Sequence, residues 1–447
     1  MTDRSHDNDS MKTEKTRKRR ILETILRWMA HVLLKKYNPI IVGITGSVGK
    51  TSAKEATFLV LSHFYRVRQS QKNYNNEIGI PLTIIGARSG EQSLRGWARV
   101  VVQWFWALLF PVEYPEVLIL EMGIDRPGDM KYLLSFVPVR IAVVTAIGPA
   151  HVEFFGNVER IAAEKERIVS AIGSNGSVIL NADDQRVMAM EKKAKVPVTT
   201  FGCVETARVF ASDIMQNFSR DKALKGISFK LNYDGKSIPV RLHHVVARHY
   251  VSAVLAALSV GIALRLNLVE CARAVENFIP LPGRMNLLDG INGSTIIDDT
   301  YNASPRAVEA AVQTLAKMPA ARRIVVLGDM LELGELSERE HAAIASLLAS
   351  HHITFFYAMG ECMEHAYRAA LSGGHFTPDT VFYFEDPVLT GRALASMLRE
   401  GDVVLVKGSQ GMRMEKAVEE IMADPHKAQE LLCRQSPEWR TKPFVRP

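Results

Sequence analysis

From position 40 onward, short runs of consecutive apolar residues alternate with stretches whose apolar positions recur at helical spacing. One set of runs is Ile40 to Val42, Val117 to Leu120, Ile141 to Val144 and Val178 to Leu180. A second is Thr295 to Ile297, Ile324 to Leu327, Thr354 to Tyr357 and Val403 to Val406. Strands that are apolar on both faces and separated by helices predict a parallel sheet covered on both sides. Between the sets, alternation from Arg208 to Leu242 with the turn Tyr233-Asp234-Gly235 predicts an antiparallel excursion. A helical stretch from Tyr250 to Leu264 then leads to the predicted boundary Pro280-Leu281-Pro282-Gly283. The fold class is therefore α/β, with a mostly parallel sheet in a central domain (38–281) and a C-terminal Rossmann-like α/β domain (282–425). Residues 1–37 read as a basic tail and amphipathic helix, with 1–19 expected to be disordered, and 426–447 read as a loosely ordered tail.

Two segments complicate this picture. Ile21, Ile25, Trp28, Met29 and Val32 recur at helical spacing behind Arg17-Lys18-Arg19-Arg20, and Trp97 to Phe110 is apolar almost throughout. Neither reaches the ~18 apolar residues that a span needs. No small-residue cleavage site follows the basic cluster, as a signal peptide would require. Both helices are expected to pack on their own protein or on a partner, the alternative being a peripheral membrane contact through residues 17–36 at the inner face of a membrane.

Composition narrows the function classes. With 447 residues, 47% of them hydrophobic and 23% charged, the chain has ample core material and is not a disordered polymer. The net charge of +7 invites nucleic acid, but residues 1–36 hold ten basic residues against five acids, leaving the body nearly neutral. Without a groove-reading motif or an aromatic platform, no nucleic-acid partner is expected. Cys203, Cys271, Cys362 and Cys433 lie far apart with no metal-ligand spacing, which predicts free thiols in a reducing cytoplasm.

The strongest local signal is Gly43-Ile44-Thr45-Gly46-Ser47-Val48-Gly49-Lys50-Thr51-Ser52, between a predicted strand and a predicted helix. That context is what a phosphate loop requires, so the central domain reads as a P-loop ATPase. Glycines let backbone N–H groups turn towards phosphate oxygens, and the helix N-terminus adds positive potential. Gly46, Ser47, Gly49, Lys50, Thr51 and Ser52 are the candidate cofactor-binding residues, with Lys50 for the β/γ phosphates and Thr51 for Mg²⁺. Ile44 stands where the general pattern has its first glycine. Glu121 ends an apolar run, where a metal ligand or crevice group is expected.

Further motifs follow in a fixed order: NYNNEIGIPLT (Asn73 to Thr83), LEMG (Leu120 to Gly123), IGPAHVEFFG (Ile147 to Gly156) and AAEKERIV (Ala162 to Val169). After them come GRM (Gly283 to Met285), IIDDTYNASP (Ile296 to Pro305), VLGDMLELG (Val326 to Gly334) and VKGSQGMRME (Val406 to Glu415). Together they make the chain, from about Pro39 to Glu420, resemble the Mur ligases, the ATP-dependent amide-forming enzymes of peptidoglycan assembly. It is most similar to members that add D-alanyl-D-alanine to UDP-N-acetylmuramoyl tripeptide.

The resemblance implies an ADP-forming ligase that activates a carboxylate as an acyl phosphate, with ATP and two Mg²⁺ as cofactors. Its substrates would be nucleotides and peptide-like small molecules. Lys50, Glu121, His151 and Lys165 would be catalytic. Thr51 and Glu121 would hold one metal, His151 and Lys165 the second, with Lys165 carrying a CO₂-derived carbamate. Arg284 would reach the ATP phosphates and Asp299 the ribose after a closure hinged near Leu281 to Gly283. Asn302, Asp329, Lys407 and Ser409 would serve the amino substrate or the contacts of domain closure, the alternative being that some only shape loops, and Asn75 and Asn76 would serve the substrate. Two departures matter. The family's UDP-sugar domain would precede Ile40 and is expected to be absent, its place taken by the basic tail. The family's H-N-x-x-N-A reads His249-Tyr250-Val251-Ser252-Ala253-Val254 here, so Tyr250 is expected to stack on adenine. A non-UDP acceptor, polyglutamate-type or lipid-linked, and a membrane-recruited nucleotide-binding scaffold are the alternatives.

Overall fold

A computed structural model describes residues 4–71, 74–91, 93–148, 152–218 and 224–445. The chain divides into two units, one comprising 1–214, 229–241 and 249–278, the other 215–228, 242–248 and 279–447. Both are α/β.

The first sheet has nine strands: β1 (Ile40–Thr45), β2 (Val67–Gln69), β3 (Val117–Glu121), β4 (Ile141–Val144), β5 (Ser177–Asn181), β6 (Val198–Gly202), β7 (Val209–Phe218), β8 (Leu224–Tyr233) and β9 (Lys236–Leu242). Their order is β2-β3-β1-β4-β5-β6-β7-β8-β9. Strand β1 pairs in parallel with both β3 and β4, so the chain leaves it towards one edge and returns on the other side. Such a reversal opens a crevice beyond the strand ends, where ligands bind in open α/β sheets. The Asp234-Gly235 turn between β8 and β9 has positive φ at both residues, the backbone a two-residue hairpin needs.

Four helices concern the site and its surroundings: α1 (Arg4–Tyr37), α2 (Lys50–Ser62), α3 (Gly79–Ile85) and α4 (Leu94–Leu109). Helix α2 packs on the helix His249–Ala263, which is buried almost all round, as its continuous apolar sequence dictates. The sheet residues Ile41, Leu118 and Leu120 join α1, α3 and α4 in one core.

Helix α1 corrects one expectation, because residues 4–19 are helical rather than disordered. The segment Arg4–Tyr37 contains neither Gly nor Pro, and Arg19 Nε donates to Glu23 one turn on at 2.8 Å. Its inner face buries Leu26, Met29, Ala30, Leu33 and Leu34. Trp104 Nε1 of α4 donates to the Met29 carbonyl at 2.9 Å, and Tyr37 Oη to that of Ala107 at 2.6 Å. Among the described residues no helix is long and apolar enough to cross a membrane.

The second sheet has six strands: β10 (Asn286–Asp289), β11 (Thr295–Asp299), β12 (Arg323–Gly328), β13 (Phe355–Met359), β14 (Val381–Phe384) and β15 (Val403–Lys407). The order is β10-β11-β15-β12-β13-β14, parallel except for the edge strand β10. Residues 426–445, expected to form a loosely ordered tail, pack instead on this unit, with Ala428, Leu432 and Cys433 buried. Glu415, almost wholly buried, accepts from Arg413 Nε at 2.5 Å and from Arg434 Nη1 at 2.8 Å. Arg434 also donates to the carbonyls of Thr300 and Tyr301, and Arg413, Arg434 and Lys442 surround the Trp439 ring. The tail reads as loose because its few buried residues, Ala428, Leu432 and Cys433, make no apolar stripe and its main anchor, Arg434, is polar.

Candidate active site

Strand β1 delivers Gly46 to Gly49 to the crevice between β3 and β4, and α2 begins at Lys50. Gly49 caps α2 with φ +85°, a conformation that a side chain would strain. A Cβ on Gly46 would fall 2.0 Å from Thr145 Oγ1, so this turn accepts only glycine. Thr145, just after β4, donates its hydroxyl to the Val48 carbonyl at 2.6 Å, while its own carbonyl accepts from Asn181 Nδ2 at 2.7 Å. Ser47 N donates to Ala146 O at 2.6 Å, and Ser47 Oγ to Gly148 O at 3.0 Å. The loop is thus held from outside before any ligand arrives. Lys50 Nζ folds back over it, donating to Gly46 O at 2.8 Å. Thr51 and Ser52 lie half-buried in the first turn of α2.

Glu121 ends β3 beside this loop. Its Oε1 accepts from Asn75 Nδ2 at 3.4 Å. Its Oε2 is buried and accepts no hydrogen bond among the described residues, with Lys54 Nζ 3.9 Å away. A buried carboxylate oxygen in this state is costly unless a cation completes it. Lys54 is itself committed, donating to Ser70 O at 2.7 Å. Among the described residues no group of three or more His, Cys, Asp or Glu could hold a metal. Hard oxygen donors such as the Glu121 carboxylate and the Thr51 hydroxyl suit Mg²⁺, which takes one or two protein oxygens and completes its shell with phosphate and water.

Lys165 lies on the helix Val158–Ser170 and is only 3% exposed, so it is no member of a solvated charge stripe. It forms no ion pair among the described residues. Burial, with Lys50 nearby, lowers its amine to a pKa of about 7. Neighbouring Glu164 is engaged elsewhere, accepting from Met130 N at 3.1 Å and Arg167 Nε at 3.0 Å. Gly46, Ser47, Lys50, Asn75, Asp125 and Lys165 line one cavity of about 50 Å³. His151 and Asn73 lie outside the described residues. Asn76 does not join this cavity lining; its Oδ1 accepts from Ile78 N and Gly79 N and so starts α3. Tyr250 is a core residue, 1% exposed and packed on Phe278, which leaves no open face for adenine.

In the second unit, Asp299 and Lys407 end the paired strands β11 and β15 in register. Lys407 Nζ donates to Asp299 Oδ2 at 2.6 Å and to Asn302 O at 2.7 Å. Burial raises the Asp299 carboxyl, against the opposing pull of Lys407. Asp298 is wholly buried and pushed to about 6 by desolvation, although it accepts from Thr300 and from Gly283 N. Asp329, just past β12, is also raised to about 6 by burial; its Oδ1 accepts from Met363 N at 2.7 Å. Ser409 Oγ accepts from Leu331 N at 2.8 Å. The Arg284 guanidinium lies 4.0 Å over the Tyr301 ring. Asp299, Asn302 and Lys407 therefore meet, whereas Ser409 and Asp329 Oδ1 accept from backbone and Asp329 Oδ2 is buried without a hydrogen bond among the described residues. Sequence reading missed Thr145, Asn181, Lys54 and Asp125; only Asp125, two residues past Gly123, carried a local signal.

Fold and site together define an α/β protein built to hold nucleotide phosphates. Residues 106–261 match the Mur ligase middle domain, and residues 283–410 the Mur ligase glutamate ligase domain. The UDP-N-acetylmuramoyl-tripeptide–D-alanyl-D-alanine ligase of Mycobacterium tuberculosis is 31% identical over 403 residues, covering 86% of this chain and 73% of that protein. Its counterpart from Bacillus subtilis is 27% identical over 404 residues, covering 90% and 80%. Among solved structures, MurF from Acinetobacter baumannii aligns with TM-score 0.75 at 25% identity, over 90% of this chain and 81% of that one. The MurF ligase from Thermotoga maritima in complex with ADP aligns with TM-score 0.72 at 26% identity, over 89% and 83%. The chain belongs to the Mur ligase family of ATP-dependent, ADP-forming amide ligases.

Proposed function

We propose that this protein joins the carboxylate of a muramoyl tripeptide to the amine of D-alanyl-D-alanine in peptidoglycan precursor synthesis. The observation that carries this reading is one cavity holding a pre-shaped phosphate loop, Lys50 and the buried amine of Lys165, with a Glu121 oxygen beside it that accepts no hydrogen bond among the described residues. The named relatives supply the substrates. Residues 38–281 form the ATP-binding domain and 282–425 the C-terminal ligase domain in this reading.

A carboxylate resists amines because it is negative and oxide leaves poorly. Attack of its oxygen on the γ-phosphorus of ATP breaks the bond to ADP and gives an acyl phosphate. The amine nitrogen then attacks the acyl carbon, the carbon–oxygen bond to phosphate breaks, and the amine loses a proton. The chain must gather the anions and spread their charge. The backbone N–H groups of the loop other than that of Ser47, which is held by the Ala146 carbonyl, receive phosphate oxygens, and Lys50 swings from Gly46 O to the β/γ phosphates. Thr51 and Glu121 would hold one Mg²⁺, and His151 with carbamylated Lys165 a second, which neutralise phosphate charge when bound. Carbamylation needs a neutral amine, and the lowered pKa of Lys165 supplies one near neutral pH. Arg284 and Asp299 serve the nucleotide, and Asn302 and Lys407 the amino substrate. The four free thiols fit a cytoplasmic enzyme. Residues 17–36 provide a peripheral contact surface.

Phosphate release measured with UDP-muramoyl tripeptide and D-alanyl-D-alanine, each alone and together, tests this. Turnover should require both and fall at least about 10³-fold in Lys50→Ala. Release that ignores either substrate overturns the assignment. Labelled CO₂ should be retained by the wild type and by Lys131→Ala, an exposed control, and lost in Lys165→Ala; equal labelling of all three removes the carbamate.

A further inference from the structure

Helices α1 and α4 have a second apolar face that the core does not use. On α4 the core takes Val100, Trp104 and Ala107, while Val102, Phe105, Trp106 and Leu109 point to solvent, with Leu109 69% exposed. On α1, Ile21, Ile25 and Trp28 recur on one outer face, and Trp28 is 57% exposed. The two faces flank one buried ring, because Trp28 lies 5.1 Å from the core residue Trp104, which in turn lies 4.8 Å from Phe105. Trp106 and Phe110 extend the patch as a pair 4.2 Å apart. Contiguous exposed apolar surface of this kind marks an interaction site.

Charge selects the partner. Helix α4 carries Arg95 and Arg99, both exposed, and no acid. From Arg19 to Lys36, α1 carries five basic residues against Glu23 alone, and Glu23 is already bonded to Arg19. A symmetric pair of copies meeting on this face would bring its basic residues against their equivalents. An anionic sheet of headgroups over an apolar interior satisfies both components at once. Tryptophan and phenylalanine are also the residues that settle at such a boundary. Sixteen residues of α4 extend about 24 Å, short of a ~30 Å hydrocarbon core. The helix can therefore lie in the boundary and not cross it.

We infer that the outer face of α1 and α4 docks the protein on an anionic lipid bilayer, with both helices in the plane of the headgroups. This sharpens the contact surface proposed for residues 17–36, rests on that reading, and adds α4 as its principal apolar element.

The test is sedimentation of the full chain with vesicles of phosphatidylcholine alone or mixed with phosphatidylglycerol, alongside light scattering without lipid. Binding should be at least about tenfold stronger to the anionic vesicles. It should weaken with added salt and be lost in the double variant Trp106→Glu, Leu109→Glu, with phosphate release in solution unchanged. Equal binding to both vesicle types overturns the anionic bilayer as partner. Self-association without vesicle binding, abolished by the same double variant, also overturns it but leaves a contact surface in place. Neither vesicle binding nor self-association overturns both readings.

Discussion

Lys165 and Lys407 are buried alike, 3% and 2% exposed, but in different company. Lys407 is held by the Asp299 carboxylate at 2.6 Å and the Asn302 carbonyl at 2.7 Å. Lys165 has no ion pair among the described residues, has Lys50 as a cationic neighbour, and its pKa falls to about 7. Equal burial thus goes with a closed ion pair in one unit and with an amine of lowered pKa in the other. Desolvation sets the cost of the charge, and the nearest partner decides whether that cost is met. Among the described residues the first unit leaves Lys165 without an ion pair and one Glu121 oxygen without a hydrogen bond, whereas in the second Lys407 is paired with Asp299 although Asp329 Oδ2 is buried without a hydrogen bond.

The largest expected effect falls on the matched lysine. Lys407→Met leaves Asp299 buried without its cation and should cost about 3–5 kcal/mol, read from the urea midpoint. The comparison breaks if Lys165→Met costs as much. That variant replaces an amine that burial disfavours with an apolar chain of similar length, so its midpoint near neutral pH should hold or rise. Its phosphate release should nevertheless fall about 10²–10³-fold.

The pH dependence sharpens the same contrast. Lys165 titrates near 7 when folded and at its ordinary value of 10.5 when unfolded. Between those values the unfolded chain binds more protons, so this group makes stability rise with pH across that window. Melting temperatures taken through that range should carry a rising component that Lys165→Met removes. The smallest effect belongs to Asn75→Ala. It deletes the long 3.4 Å bond to Glu121 and should weaken half-saturation by Mg²⁺ about tenfold.

The contrast also explains what the sequence could reveal. The phosphate loop was legible because its chemistry is local: glycines, Lys50 and Thr51 stand in consecutive positions between a strand and a helix. The apolar runs of β1, β3, β4, β12 and β15 were legible for the same reason. Strands β2, β6, β10 and β14 span only three to five residues and mix apolar with polar or aromatic positions. Thr145 and Asn181 act on the loop through tertiary contacts, and nothing in their own neighbourhood marks them. Arg434 was illegible for the converse reason, since its partners Glu415 and Tyr301 lie 19 and 133 residues away. Tyr250 misled because a tyrosine in a motif position says nothing about whether its ring is covered.

The clamps on the two loops also set an order of events on the ribosome. The Val48 carbonyl is caught by Thr145, 97 residues later, and Tyr301 by Arg434, 133 residues later. Each loop therefore emerges well before the residue that fixes it. The phosphate loop can be latched while the second unit is still unmade. The loop around Tyr301 has to wait until translation has passed every strand of its own sheet. A chain released just after β15 would carry both sheets and still leave that loop unlatched.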